Sequence, residues 1–218
     1  MLLVVDNEVD PGYRYLGPEI ARLLPDADYH VIVDDPDHPP LEEYQGVVLS
    51  GSTHSVYDED GRGEWFDAEL ELFDRCLAEQ IPVLGICYGH QFVNYALGGT
   101  VERDRRRATF VEMIEYAEKG VLSGVEPVVP VLHSDVVTDR GDGMTSVART
   151  DYDDNFCTVH EELPVWTVQF HPEYTERVVE NTDDWDPGDH SFSECNATVV
   201  LENFAERAAD VRGRRARS

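Results

Sequence analysis

Lysine is almost missing from this chain: Lys119 is the only one in 218 residues, and arginine supplies the rest of the 17 basic side chains. Against them stand 45 carboxylates, for a formal net charge of -28. A field of that sign repels nucleic-acid phosphates and anionic membrane surfaces, so neither is expected as a partner. Long apolar runs are also missing. None approaches the ~20 residues that a membrane-spanning helix needs, and the opening MLLVVDN is too short for a signal segment and reads as a buried strand. Cysteine is sparse and unpatterned: Cys76, Cys87, Cys157 and Cys195 form no CxxC pair and no zinc-ligand spacing. With no secretory signal read in the sequence, a reduced, cytoplasmic setting is expected. His54, His160 and His190 have no partner spacing that suggests a metal, so no metal is expected. No linker, internal repeat or low-complexity segment divides the chain. A single domain over 1–211 is expected, followed by a flexible arginine-rich tail, RGRRARS, at 212–218.

What is present argues for a folded protein. Apolar residues make up 41% and aromatic residues 10%, too much and too periodic for a disordered acidic chain. The carboxylates therefore belong to a folded surface. Arginine in place of lysine on so acidic a chain resembles proteins from salt-loving archaea. Molar salt there shortens the Debye length to roughly 3 Å and relieves self-repulsion.

Short apolar runs at 2–5, 29–33, 46–49 and 82–86 alternate with amphipathic stretches at 18–24 and 64–79, the pattern of a mostly parallel sheet flanked by helices. Residues 88–97 have helical spacing and stop at Gly98-Gly99. The middle turns β-rich, at 109–116, 128–132, 145–148, 156–159 and 165–169, and predicts an antiparallel extension at one sheet edge. Residues 181–190 read as a polar loop and 197–211 as a final helix.

Cys87 stands in GICYG, between a strand and a helix. Glycines two before and two after a nucleophile permit the strained elbow that lifts a side chain clear of a sheet. The helix beginning at Tyr88 offers a partial positive charge that favours thiolate over thiol. A thiolate nucleophile needs a base, and the base needs an orienting partner. QFHPE supplies both: His171 and Glu173 are two apart in an extended segment favoured by Pro172, so their side chains point the same way.

GICYGHQ followed at long range by QFHPE resembles the class I glutamine amidotransferases, over most of the chain to about Tyr174. The resemblance implies their flavodoxin-like fold and a Cys87-His171-Glu173 triad that releases ammonia from glutamine through a γ-glutamyl thioester. It implies an oxyanion site made by the backbone of Tyr88 with Gly51 and Ser52, where family members usually carry two glycines and a proline and this chain has Gly51, Ser52 and Thr53. It also places Gln91, Ser134 and Asp135 against the substrate, and His133 and Asp135 toward a partner. SGSTHSVYDED and the His133-x-Asp135 element resemble the GMP synthase branch, whereas HSxVV is also close to anthranilate and aminodeoxychorismate glutaminases. No SGGxDS loop of an ATP-pyrophosphatase occurs in the sequence. On this reading a separate ATP-pyrophosphatase synthetase subunit holds ATP, Mg and XMP, and this chain holds no cofactor. A stand-alone γ-glutamyl cysteine hydrolase and a catalytically dead regulatory module are the rivals. The cluster Glu102-Arg103-Asp104-Arg105-Arg106-Arg107 is read as a solvated loop, with a docking patch as the alternative. His90 and Cys76 are assigned to packing.

Overall fold

The computed structural model describes residues 1–117 and 119–215. Eight strands form one sheet in the order β2-β1-β3-β4-β10-β9-β8-β6. Its parallel half contains β1 (Leu2–Asp6), β2 (Ala27–Val31), β3 (Val47–Leu49), β4 (Val83–Ile86) and β10 (Val165–Val168). Beyond β10 the sheet turns antiparallel through β9 (Cys157–His160), β8 (Met144–Arg149) and β6 (Glu115–Tyr116). This is the predicted antiparallel edge.

β1, β3 and β4 are buried along their whole length, as expected of strands covered on both faces. Alternate residues feed two apolar clusters. Leu2, Val4, Val48, Leu84 and Ile86 meet Ile20 of α1 (Leu16–Leu23) and Val200, Leu201 and Phe204 of α4 (Val199–Arg215). Leu3, Val5, Val47, Leu49 and Val83 meet Trp65, Phe66, Leu72 and Phe73 of α2 (Glu64–Ala78) and Phe92 and Val93 of α3 (Tyr88–Ala96). The buried stripe of α2 also includes Cys76, placing that thiol in the core as expected, and Glu69. Gly98, at φ +87, follows α3 and supplies the left-handed turn that ends it.

Three elements depart from the sequence reading. The second strand begins at Ala27 rather than 29, because its pairing with β1 is set by Leu2 opposite Ala27. Residues 109–116 are not one strand: β5 (Thr100–Glu112) starts nine residues earlier and pairs with β7 (Val128–Asp139) as a separate two-stranded antiparallel ribbon. The arginine cluster therefore lies in a strand rather than a loop, at an irregularity between Arg103 and Arg107. The last helix runs on to Arg215, into the stretch expected to fray, while 216–218 lie outside the described residues. Among the described residues no helix is long and apolar enough to cross a membrane.

Candidate active site

In open parallel sheets, ligands gather beyond the carboxyl ends of the strands. Here the ends of β1, β3, β4 and β10 present Asp6 to Glu8, Ser50 to Thr53, Cys87, and Gln169 to Glu173 side by side.

Cys87 has φ 52 and ψ -103, in the left-handed region that costs a residue with a side chain roughly 1–3 kcal/mol. The surroundings enforce this turn. A Cβ on Gly85 would sit 2.4 Å from the carbonyl oxygen of Gly89, and one on Gly89 would sit 2.4 Å from that of Leu49. Both glycines are thus required by close backbone approach. The Gly89 amide donates to the Ser50 carbonyl at 3.1 Å, tying the start of α3 to the end of β3. The Cys87 sulfur lies 3.7 Å from the Leu132 carbonyl oxygen on β7.

His171 follows β10, and its amide donates to the Pro130 carbonyl at 2.9 Å. The ring is 2% exposed, with Nδ1 2.7 Å from Glu173 Oε1. With Nδ1 given to the carboxylate, the buried Nε2 is left for the opposite side. Burial by itself would pull the imidazolium down. The negative charge of the Cys87 sulfur and then that of Glu173 overcome it and raise His171 to about 10. Gly51 faces the pair: a Cβ there would lie 2.9 Å from His171 Cε1 and 3.6 Å from Cys87 Cβ.

The loop after Gly51 is held from beneath by a residue that the sequence reading missed. Glu8 accepts from the Thr53 amide at 2.8 Å and from the Thr53 hydroxyl at 2.5 Å. Burial raises the Glu8 pKa, against the lowering effect of those hydrogen bonds. A proline at position 53 would have no amide to offer, so Thr53 and Glu8 form a pair available only to this departure from the family pattern. Ser52 turns its hydroxyl to the His54 amide at 3.1 Å. As the first residue of α3, Tyr88 has no intrahelical acceptor for its amide. The one sequence signal for Glu8 is that it follows a buried strand; its partner Thr53 is set by the pairing of β1 with β3.

Two cavities meet at Cys87. The larger, about 370 Å³, is lined by His171, Gly51, Glu8, Tyr15, Arg106 and Asp184, among others. The smaller, about 240 Å³, is lined by Gln91, Ser134, Asp135, Arg103 and Arg106, and both share Cys87, Ser52, Thr53 and Leu132. Gln91 and Ser134 thus line a cavity that Cys87 also lines. The Gln91 amide nitrogen is already committed, donating to the Asp135 carbonyl at 3.0 Å and to Gln169 Oε1 at 3.1 Å.

His133 differs from its expected place at a partner surface. It is 3% exposed, with Nδ1 2.9 Å from the Asp135 carbonyl, Nε2 3.0 Å from the Tyr152 hydroxyl, and the ring stacked on Tyr152. Burial lowers its pKa to about 4, keeping it neutral. Its neighbour Arg107 covers the other part of the same assembly, 3.6 Å from the Tyr152 ring centre. Asp135 is also buried, and its carboxylate accepts from Ser55 and, at 2.9 Å, from Tyr57. His133 and Asp135 thus shape the cavity wall from inside.

The predicted polar loop at 181–190 closes the larger cavity. Trp185 packs against Tyr174 and Phe110, and Asp184 accepts two hydrogen bonds from Arg106, at 2.9 and 3.1 Å. His90 is a packing residue, with Nδ1 2.7 Å from Thr167 Oγ1. Among the described residues no group of three or more His, Cys, Asp or Glu side chains is placed to hold a metal.

An elbow-borne cysteine beside an imidazole and carboxylate, on a mostly parallel sheet, is an α/β arrangement able to supply a nucleophile with an oriented base. The family model described as "Glutamine amidotransferase class-I" matches residues 13–182, and the chain belongs to that family. Curated relatives include the GMP synthase [glutamine-hydrolyzing] of Lactococcus lactis subsp. cremoris strain SK11, 33% identical over 175 residues, 77% of this chain and 28% of that protein. The protein of that name from Wolinella succinogenes is 33% identical over 178 residues, 76% of this chain and 32% of its own length. The chain thus spans about a third or less of these relatives. Among solved structures, a putative GMP synthase subunit from Thermoplasma acidophilum superposes with a TM-score of 0.72 at 22% identity, covering 99% of this chain and 96% of that one. A glutamine amidotransferase from Thermotoga maritima gives 0.76 at 21%, covering 95% and 97%. These two share the fold.

Proposed function

We propose that this chain hydrolyses L-glutamine to L-glutamate and ammonia, and that a separate ATP-pyrophosphatase synthetase uses the ammonia to convert XMP to GMP in the cytoplasm. The observation that carries the first half is the meeting of Cys87, on its enforced positive-φ elbow, with the buried His171 and Glu173 pair across Gly51. In this mechanism the Cys87 sulfur attacks the side-chain amide carbon of glutamine. The oxyanion that forms takes hydrogen bonds from the Tyr88 amide and the Gly51-Ser52 backbone. His171 Nε2 gives its proton to the departing nitrogen, ammonia leaves, and a γ-glutamyl thioester remains on Cys87. His171, now neutral, takes a proton from water as it attacks the thioester, and glutamate departs as the sulfur recovers its charge. Glu173 orients the ring throughout. The larger cavity, into which His171 faces, receives the ammonia.

Support for the XMP reaction comes from the relatives named GMP synthase and from the SGSTHSVYDED segment. In this scheme ATP and Mg bind the synthetase alone. The test is to combine this chain with an ATP-pyrophosphatase synthetase, XMP, ATP-Mg and glutamine. Glutamate and GMP should form in step, and both should stop with Cys87→Ala. Absence of GMP with an active synthetase, checked with added ammonia, refutes the acceptor; absence of glutamate as well refutes the glutaminase.

A further inference from the structure

Arg103 is an unpaired cation in a chain with a formal net charge of -28: its side chain has no ion pair and no hydrogen bond among the described residues. It nevertheless lines the smaller cavity, together with the nucleophile Cys87. Across the ribbon it stands opposite Asp135. Arg106 lines the same cavity from the same strand irregularity, near enough to Cys87 for the sulfur's charge to act on it. The remaining wall there is Ser134, Gln91 and the Ser52 to Ser55 loop. Acidic side chains outnumber basic ones by more than two to one in this protein, so the unpaired Arg103 guanidinium in the wall of one small cavity, with Arg106 in the same wall, marks the place for an anion that the chain does not itself supply to Arg103.

Resting on the glutaminase reading, we propose that Arg103, assisted by Arg106, binds the α-carboxylate of glutamine and thereby sets the site's preference for a free amino acid. With the side-chain amide at Cys87, the head of the substrate extends into the smaller cavity, away from His171. Its carboxylate meets the Arg103 and Arg106 guanidinium groups in the planar, two-pronged geometry that arginine offers to carboxylates. Its ammonium lies toward Asp135, the carboxylate in that wall. Arg106 already spends two donors on Asp184, so Arg103 is the principal contact.

The test compares L-glutamine with γ-aminobutyramide, the same molecule without its α-carboxylate. A charge-assisted hydrogen bond is worth roughly 10- to 100-fold in binding. Arg103→Ala should lower kcat/KM for L-glutamine by about that factor, mainly through KM, and leave γ-aminobutyramide hydrolysis unchanged; Arg103→Lys should recover part of the loss. A parallel titration of L-glutamine into Cys87→Ala, with and without Arg103→Ala, should show the same weakening without turnover. Equal loss for both substrates, or unaltered L-glutamine binding, overturns the assignment of Arg103 and leaves the glutaminase standing. So does a variant whose only defect is response to the synthetase, the result expected of a docking patch. If the parent chain neither binds nor hydrolyses glutamine, the glutaminase reading itself fails.

Discussion

Gly51→Ala is the most economical test of how the site is built. The backbone there does not require glycine for its φ, so an alanine can be accommodated by the chain but not by the neighbours. Its Cβ would lie 2.9 Å from His171 Cε1, where ordinary carbon contacts are about 3.5–4.0 Å. The imidazole must therefore retreat by about 0.6 to 1 Å, because Cys87 Cβ, at 3.6 Å, is already at normal contact distance and has no reason to move. Glu173 at 2.7 Å and the His171 amide bond to Pro130 resist that retreat, so the ring tilts within its mount. A misplacement near 1 Å costs a reacting pair about 10²-fold. The expected outcome is a fall of that order in kcat for glutamine hydrolysis, with KM nearly unchanged and the melting temperature close to that of the parent. Steady-state glutamate release and a thermal melt on the same preparation measure all three. A folded Gly51→Ala protein within about threefold of parental kcat would refute the placement of His171 against Gly51.

Four further outcomes follow from the same geometry. Gly89→Ala forces a Cβ to within 2.4 Å of the Leu49 carbonyl oxygen and should destabilise the fold by about 2 kcal/mol or more, read from the urea midpoint. Cys87→Ala removes the first of the charges that raise His171 above its ordinary value, so NMR titration of the ring should show its pKa falling; no fall would contradict the charge pairing. Because that pKa is raised in the folded state, the stabilisation it brings is complete below about pH 6.5 and should disappear as pH rises toward about 10, visible as a declining melting temperature in the parent and a flatter profile in Cys87→Ala. A net charge of -28 should make the melting temperature rise by several degrees from about 0.1 M to about 1 M KCl, and an unchanged value would sever the acidity from salt adaptation.

Much of this could be read from the chain because local and global signals agreed. The buried strands announced themselves as short apolar runs, and the glycines at 85 and 89 had one physical reason to flank a cysteine. The places of Cys87, His171 and Glu173 beyond the strand ends were legible for the same cause: a strand end, a glycine, and a residue pair at spacing two. What escaped reading depended on contacts between distant segments. Glu8 matters only because β1 ends beside β3, which no local pattern states. The arginines at 103, 105 and 106 are exposed, as a solvated cluster should be, yet β7 draws the segment out of a loop and into a ribbon and leaves Arg107 8% exposed. His133 sits in a segment whose alternation could not say which face would be covered, and Tyr152, which covers it, comes from another turn of the chain.

The neighbouring positions of β4 and β10 have a consequence for how the protein is made. The ribosome delivers the Cys87 elbow early, but β10, which leads into His171 and Glu173, enters the middle of the sheet only after the ribbon and the antiparallel edge have been synthesised. A nascent chain that stops short of residue 173 has the thiol without its complete base and orienting pair. Pairing of sequence-distant strands is also a slow event in folding. The sulfur thus gains its neighbouring imidazole and carboxylate only after the β3 loop and the β5-β7 ribbon that line the smaller cavity have been made.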